Sequence, residues 1–209
     1  MKVYGHPISG NTRKVFAVAR SLGVAIELVL VDLMKGEQRR PDFLRINPAG
    51  RTPVLVDGDF VLPESNAIMI YLASRQPTSL WPDEPRTRAD IAHWLFWEQA
   101  HFGRACGILL YEHVIKPNIG QGNADPAQVK LGTAMFHREA MLLDAHLDGH
   151  RYLVGDGVTL ADYAVASYVQ YAGMAQLPFS DYPNVMTWNA RMEADPAWAA
   201  SAAMNAPPV

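Results

Sequence analysis

The chain has 209 residues, of which 49% are hydrophobic and 19% charged, and its formal net charge at pH 7 is -3. This composition is typical of a globular protein with one large or two small domains, and the charge gives no support to nucleic-acid binding. Residues 1–80 carry ten Lys/Arg against seven Asp/Glu, whereas residues 81–209 carry eight against fourteen. A basic first part suits a small anionic ligand, and chance explains it equally well.

The chain contains one cysteine, Cys106, so no disulfide can form within it. This favours a reducing compartment. The N-terminal residues lack the pattern of a signal peptide, and no apolar run approaches the roughly 20 residues of a membrane span. We therefore expect a soluble cytoplasmic protein with neither nucleic acid nor membrane as a partner.

The first part of the chain predicts a small α/β unit with a mixed sheet. In chain order the patterns indicate a strand at 2–5, a helix at 11–22, a strand at 25–33, a loop with one helical turn at 35–50, strands at 52–58 and 59–65, and a helix at 65–76. The stretch 25–33 is nearly continuously apolar in its middle, as expected when both faces of a strand are covered. Asp57-Gly58 between the two later strands is a strong hairpin signal.

The remainder of the chain predicts helices only. One long helix or two are expected at 86–116, a second long helix at 127–148, and then two further helices and a short final turn, followed by the tail NAPPV. Three prolines lie in the preceding connection. We therefore divide the chain into a domain at 1–77, a linker at 78–88 and an all-helical domain at 89–209.

Ser9 stands between the first strand and the first helix, in GHPISGNTRKV (5–15). A serine at this place either caps the helix or donates a hydrogen bond to a ligand at the helix N-terminus. In PESNAI (63–68), Ser65 is expected as the N-cap of the next helix, beside Glu64. A helix N-terminus accepts a carboxylate and a glutamate holds an amine, which would fit an α-amino acid end. For PESNAI taken alone, a capped helix beside an exposed Glu64 is the favoured interpretation.

Thr52 and Pro53 begin a strand in TPVL (52–55). Proline is tolerated at a strand start because it donates no ladder hydrogen bond, and it forces the preceding Thr52 to be extended. If their peptide bond is cis, the backbone of Thr52 is free to pair with the backbone of a ligand. From sequence alone only about 5–6% of such bonds are cis.

In VTLADYAVA (158–166), Thr159 and Asp162 have the spacing of a capping box, with Val158 and Tyr163 placed for a hydrophobic staple. This motif predicts a helix start and carries no chemistry.

No metal site is predicted. Glu98 and His101 have the spacing of half a di-iron helix motif, and the second half is missing. His146 and His150 have a helical spacing, but Gly149 between them is expected to end the helix.

Trp94, Trp97, His101 and Arg104 share one helical face. Packing is the favoured interpretation for the tryptophans. For His101 and Arg104, packing and the wall of a ligand cleft are equally supported.

Taken in order over the whole chain, four segments resemble the cytosolic glutathione S-transferase family, especially its serine-type bacterial members of the phi and theta-like kinds. The segments are KVYGHPISGNTRKV (2–15), DLMKGEQRRPDFLRINPAGRTPVL (32–55), PESNAI (63–68) and VTLADYAVA (158–166). The resemblance implies an α/β thioredoxin-like N-terminal domain with a mixed sheet and an all-α C-terminal helical bundle domain. It also implies glutathione as the co-substrate and a homodimer.

The resemblance assigns a role to Ser9, which would donate a hydrogen bond to the sulfur of glutathione and so favour its thiolate. Asn11 and Thr12 are close enough to share or replace this role. If Ser9 were only a helix cap, its replacement by alanine would lower the stability of the protein by about 1 kcal/mol and leave the activity unchanged.

The remaining glutathione contacts are also implied by the resemblance. The backbone at Thr52 and Pro53 would meet the cysteinyl part, with Pro53 expected to be cis, and Glu64 and Ser65 would hold the γ-glutamyl amine and carboxylate. The glycyl carboxylate would meet Gln38, Arg39 and Arg51. The family usually has His-Lys in place of Gln38 and Arg39, and Gln in place of Arg51, so hydrogen-bond donors are kept while the geometry changes.

These expectations lead to a glutathione transferase that attacks a small, electrophilic, largely apolar substrate. The second substrate is expected between Ile8 and the helix that bears Trp97, His101 and Arg104. A glutathione-dependent isomerase, dehalogenase or peroxidase would use the same thiolate. A non-catalytic binding protein of the same fold is the other alternative, although Ser9 and the residues expected to hold glutathione are retained.

Overall fold

A computed structural model describes residues 1–202 of the chain. The predicted NAPPV tail lies outside the described residues. By their internal contacts the residues form two compact units. The first comprises residues 1–81 together with residues 195–202, and the second comprises residues 82–194.

The structure has one four-stranded sheet in the described part of the chain, in the first unit, with the order β2-β1-β3-β4. Its strands are β1 Lys2–Gly5, β2 Glu27–Leu30, β3 Val54–Asp57 and β4 Phe60–Pro63. β1 pairs in parallel with β2 and antiparallel with β3, and Val3 lies opposite both Leu28 and Leu55. β3 and β4 form the predicted antiparallel hairpin. The predicted mixed sheet of this α/β domain is confirmed.

Ten α-helices are found within residues 1–202. They are α1 Gly10–Ser21, α2 Pro41–Ile46, α3 Ser65–Ala73, α4 Pro85–Trp97, α5 Gly103–Leu110, α6 Lys116–Asn118, α7 Pro126–Leu147, α8 Leu160–Val169, α9 Pro183–Glu193 and α10 Pro196–Ser201. Short 3₁₀ turns occur at Glu37–Arg39 and Phe179–Asp181, and π-helical turns at Glu98–Phe102 and Tyr111–Ile115. None of these helices has both the length and the hydropathy needed to cross a membrane.

The expectation for the second strand is wrong. β2 covers only Glu27–Leu30, and 58% of the Leu30 surface is exposed. Every residue of β2 is partly or fully exposed, and the strand also lies at the edge of the sheet. Its apolar run therefore does not indicate cover on both faces.

The first helix packs where the sequence predicts. Val15 and Val18 are fully buried, and α1 lies against α3 and α10. The chain leaves the helix through Gly23, whose φ of +66° belongs to the left-handed region that glycine adopts easily. Its N–H donates to the carbonyl of Arg20.

The last helix, α10, joins the first unit and packs on α1. The boundaries expected from the sequence place all residues from 89 onward in the helical domain. In the structure, Trp198 of α10 is fully buried and its ring lies under the guanidinium of Arg13. Such burial of a large aromatic ring is a strong apolar contribution to this packing.

The second unit is helical, as expected. The long helix expected at 86–116 is a continuous helical run from Pro85 to Asn118, interrupted by the two π-helical turns. At the first of these turns, a Cβ on Gly103 would lie 2.8 Å from the carbonyl oxygen of Glu98 and from the ring of Tyr168. Only glycine permits this close approach.

The predicted capping box at Thr159 and Asp162 is confirmed at the start of α8. The buried Asp162 carboxylate accepts hydrogen bonds from the backbone N–H groups of Leu153 and Thr159, from the Thr159 hydroxyl and from Nε1 of Trp188, at 2.9–3.0 Å. Burial raises the pKa of Asp162, and these hydrogen bonds oppose that rise. Asp162 therefore joins α8, α9 and the preceding loop in one buried network.

Candidate functional site

The loop that carries Ser9 is fixed at both ends. β1 ends at Gly5, where an added Cβ would lie 2.6 Å from Oγ1 of Thr12, so the strand and the first turn of α1 are in close contact. The Ser9 N–H donates to the carbonyl of His6 at 3.0 Å, and the Ile8 N–H donates to Nδ1 of His6 at 3.2 Å. Together these contacts place Ser9 at the N-terminus of α1.

Ser9 has the backbone conformation of an N-cap, with φ -77° and ψ 121°, but its side chain makes no capping hydrogen bond. Its hydroxyl has no hydrogen-bond partner among residues 1–202, and the residue is partly exposed. The capping alternative for the hydroxyl is therefore unsupported. The free hydroxyl stands beside the backbone N–H groups of a helix N-terminus, which favour an anion.

The two residues considered beside Ser9 differ in accessibility. Thr12 is fully buried, and its Oγ1 has no hydrogen-bond partner in the described chain. Since Thr12 is packed against Gly5 and closed to solvent, the expectation that it could hold a thiolate is wrong. Asn11 is partly exposed, and its Oδ1 accepts a hydrogen bond from Oγ of Ser65 at 3.3 Å.

The hydrogen bond between Asn11 and Ser65 joins the N-terminal turns of α1 and α3. Ser65 is the first residue of α3, so its expected role as the N-cap is wrong. The N-cap is Glu64, whose φ of +70° is rare for a residue other than glycine and whose side chain makes no capping hydrogen bond. The Glu64 side chain is exposed beside this joint. The structure thus places Glu64 beside the joined N-termini of α1 and α3, which are parts of the predicted site.

The peptide bond between Thr52 and Pro53 is cis, as the resemblance implies. Pro53 is buried and Thr52 is partly exposed, and β3 begins at the next residue.

The residues expected at the glycyl carboxylate lie on two segments in contact. A Cβ on Gly50 would lie 3.1 Å from the carbonyl oxygen of Gln38, and Nδ2 of Asn47 donates to the carbonyl of Arg51 at 2.8 Å. Arg39 and Arg51 are both exposed, and neither guanidinium has a partner within residues 1–202. Two positively charged side chains are therefore available to an anion at this end.

The residues predicted for the second substrate fall in different surroundings. Ile8 of the first unit has 59% of its surface exposed. In the second unit, His101 and Arg104 are exposed, whereas Trp97 is buried and donates from Nε1 to Glu139 at 3.0 Å. Packing therefore accounts for Trp97, and the roles of the other three residues stay predictions.

Cys106 is buried within α5. Burial, with the nearby charge of Glu98, raises the pKa of its thiol well above the ordinary value. A thiol with a raised pKa is protonated at neutral pH, and burial closes this one to solvent.

Sequence reasoning missed Arg13, which lies one turn after Ser9 and is buried. Its guanidinium contacts Trp198 and Ser201 of α10. The separation of 188 residues between Arg13 and Ser201 left no local signal for this contact.

The fold is a thioredoxin-like domain with a candidate anion site, joined in one chain to an all-helical domain. Two protein-family models match the chain, one in its first part and one in its helical part. Residues 1–74 match the glutathione S-transferase N-terminal domain, and residues 133–196 match the glutathione S-transferase C-terminal domain.

Individual proteins are similar over most of their length. Glutathione S-transferase 3 of Zea mays is 39% identical, and the match covers 78% of this chain and 73% of the relative. Glutathione S-transferase theta-2B of Homo sapiens is 34% identical, and the match covers 90% of this chain and 78% of the relative. Among solved structures, glutathione transferase F7 of Populus trichocarpa has a TM-score of 0.88 at 27% identity and covers 96% of this chain and 97% of its own. The structure of glutathione S-transferase III in apo form has a TM-score of 0.85 at 37% identity. It covers 100% of this chain and 98% of its own. The chain belongs to the glutathione S-transferase family and is an enzyme of that family.

Proposed function

We propose that this enzyme binds glutathione as a thiolate at Ser9 and conjugates it to a small, electrophilic, largely apolar substrate. The observation that carries the proposal is the hydroxyl of Ser9, which lies at the N-terminus of α1 and is not used as a cap. In the reaction, the thiol proton passes to solvent and the sulfur forms a bond to an electrophilic carbon. The leaving group departs from that carbon with its electron pair.

The magnitude required of Ser9 is within reach of one hydrogen bond. A free thiol has a pKa near 8.5, and lowering it by about two units requires roughly 2.7 kcal/mol of preference for the anion. A hydrogen bond to a charged group supplies about 1.5–3 kcal/mol. The N-terminus of α1 adds about 0.3–1 kcal/mol in the same direction.

The rest of glutathione would extend along the first unit. The backbone at Thr52 and Pro53 would meet its cysteinyl part, and Glu64 and Ser65 would hold the γ-glutamyl amine and carboxylate. The hydrogen bond between Asn11 and Ser65 supports this arrangement, because it joins the thiolate end to the γ-glutamyl end.

The other end of glutathione, the glycyl carboxylate, would meet Gln38, Arg39 and Arg51. The exposed guanidinium groups of Arg39 and Arg51 support this placement, since neither is held by another described residue.

We also propose that the enzyme is a homodimer and acts in a reducing compartment, the cytoplasm. Support for the dimer comes from β4, an edge strand on which Phe60 and Val61 expose 43% and 41% of their surfaces. An exposed apolar edge is usually covered in a stable protein. Sedimentation equilibrium measures the oligomeric state directly.

The test of the function is the pKa of bound glutathione, followed by thiolate absorbance, in the native protein, in Ser9→Ala and in Ser21→Ala. Ser21 is an exposed serine at the far end of the same helix and serves as the matched control. We expect a value about two units below 8.5 in the native protein and the control, and a return toward 8.5 in Ser9→Ala.

At a pH below the pKa of glutathione bound to the native protein, the activity of Ser9→Ala should then be about 100-fold lower. A rise of two units in that pKa lowers the fraction of thiolate by this factor. A depressed pKa that Ser9→Ala leaves unchanged would move the donor role to Asn11 or to backbone N–H groups. A native protein that does not bind glutathione would overturn the proposed function.

A further inference from the structure

The segment 32–51 of the first unit carries more positive charge than its own acidic residues neutralise. It contains five Lys/Arg and three Asp/Glu, and each acidic residue forms an ion pair with a basic neighbour. The pairs are Lys35 with Asp32, Arg40 with Glu37 and Arg45 with Asp42. The two cations left over are Arg39 and Arg51, which are exposed and have no partner in the described part of the chain. The net charge of +2 in this segment therefore resides on these two guanidinium groups.

The backbones that carry the two unpaired arginines are in contact. A Cβ on Gly50 would lie 3.1 Å from the carbonyl oxygen of Gln38, and each arginine directly follows one of these two residues. The carbonyl of Arg51 is held in place, because it accepts a hydrogen bond from Nδ2 of the buried Asn47 at 2.8 Å. Two unpaired guanidinium groups thus start from neighbouring points on a fixed backbone, and both can reach one ligand.

The chain itself places this pair at one end of the proposed glutathione site. Arg51 directly precedes Thr52, whose backbone is proposed to meet the cysteinyl part of the ligand. The γ-glutamyl end is proposed to lie at Glu64 and Ser65, which leaves the C-terminal residue of the ligand on the side of Arg51. Neighbouring residues of an extended chain are about 3.3 Å apart, so Arg51 is within reach of the residue that follows the cysteine.

Glutathione uses only part of this charge. Its C-terminal residue is glycine, which offers a single carboxylate, and one guanidinium can bind a carboxylate in a bidentate pair. With glutathione bound, one of the two guanidinium groups would still lack an anion. A C-terminal aspartate or glutamate offers two carboxylates, one for each arginine.

We propose that Arg39 and Arg51 are specificity-determining residues that select a thiol co-substrate with two carboxylates on its C-terminal residue, namely a γ-glutamyl-cysteinyl peptide that ends in aspartate or glutamate. The inference rests on the proposed function, because it takes the ligand to lie along the first unit as described there. Glutathione remains a substrate, since one guanidinium suffices for its carboxylate. The thiolate chemistry at Ser9 is the same for both peptides.

The experiment compares three thiol peptides with one electrophilic substrate. The peptides are glutathione, γ-glutamyl-cysteinyl-glutamate and γ-glutamyl-cysteinyl-glutamine. The last two have nearly the same shape and differ in the charge of one side chain, so the ratio of their kcat/KM values isolates the second carboxylate. For each peptide we would measure kcat and KM at an ionic strength of about 0.01 M and again at about 1 M, where the Debye length falls from about 30 Å to about 3 Å.

In the native protein we expect kcat/KM to be about fivefold higher for the glutamate peptide than for the glutamine peptide at low ionic strength. This is the upper range for one exposed pair of opposite charges. The difference should lie in KM, because the second carboxylate is remote from the sulfur, and it should fall toward onefold at high ionic strength.

Three variants identify the groups responsible. Arg39→Gln and Arg51→Gln should each bring the ratio close to one and keep glutathione turnover, because the remaining guanidinium binds the single carboxylate. Arg45→Gln is the matched control, since it removes the same charge from an exposed side chain of the same segment that is already paired with Asp42. It should keep the native ratio.

A ratio near one in a native protein that turns over glutathione would overturn the inference while the proposed function stands. So would a ratio that Arg45→Gln lowers as much as the other two variants, because the general charge of the segment would then suffice, or a ratio that neither Arg39→Gln nor Arg51→Gln lowers. The comparison of peptides in the native protein needs no variant and does not depend on how the variants fold. A native protein that does not bind glutathione would overturn the proposed function, and the inference with it.

Discussion

Glu64→Gly should make the protein more stable and a poorer binder of glutathione. Glu64 is held at φ +70° and ψ 113°, outside the favoured regions of residues with a side chain. Such a conformation costs about 1–3 kcal/mol. Glycine adopts it freely but loses about 0.5–1 kcal/mol more in chain entropy on folding. Since the Glu64 side chain is exposed and makes no capping hydrogen bond, a net gain of about 0.5–2 kcal/mol is expected.

The same substitution removes the carboxylate proposed to hold the amine of glutathione. A hydrogen bond to a charged group contributes about 1.5–3 kcal/mol, so glutathione should bind roughly 10- to 100-fold more weakly. Chemical denaturation measures the first effect and titration calorimetry the second.

Two controls separate backbone from side chain. Glu64→Ala keeps the positive φ and removes the carboxylate, so it should lose affinity without becoming more stable. Gln176→Gly changes the other described non-glycine residue with a positive φ, at +53°, and should leave glutathione binding alone. A less stable Glu64→Gly protein would refute the reasoning about strain, and full affinity in both Glu64 variants would remove Glu64 from the site.

Two further substitutions test other parts of the molecule. Asp162→Ala leaves three buried N–H donors, on Leu153, Thr159 and Trp188, without their acceptor, and should cost about 3–5 kcal/mol in chemical denaturation. Asp162→Asn, which keeps the volume and one oxygen, should cost less, and a loss below about 1 kcal/mol for alanine would contradict the role of the network. Phe60→Glu places a charge on the exposed edge strand and should halve the mass seen in sedimentation equilibrium, whereas an unchanged dimer would locate the interface elsewhere.

Local signals predicted much of this structure. The capping box is one example, because Thr159 and Asp162 are three residues apart and interact within a single helical turn. The hairpin is another, since Asp57-Gly58 suits a tight turn between two apolar stretches. In both cases the residues that specify the structure are neighbours in the sequence.

The errors concern properties that depend on distant residues or on one exact boundary. The apolar pattern of β2 could not reveal its edge position, which the order of all four strands determines. Ser65 was expected one position too early in its helix, because a glutamate is rarely found at the positive φ that Glu64 adopts. Thr12 looked available in the sequence, yet it is fully buried and packed against Gly5 of β1.

The return of α10 to the first unit also affects how the enzyme is made. The first unit is discontinuous in the sequence, and the whole second unit lies between its two parts. During synthesis the second unit is complete at residue 194, before Trp198 and Ser201 have been added. The helix that presents Ser9 then still lacks the partners of Arg13. We therefore expect the proposed glutathione site to be completed only after α10 has docked on α1.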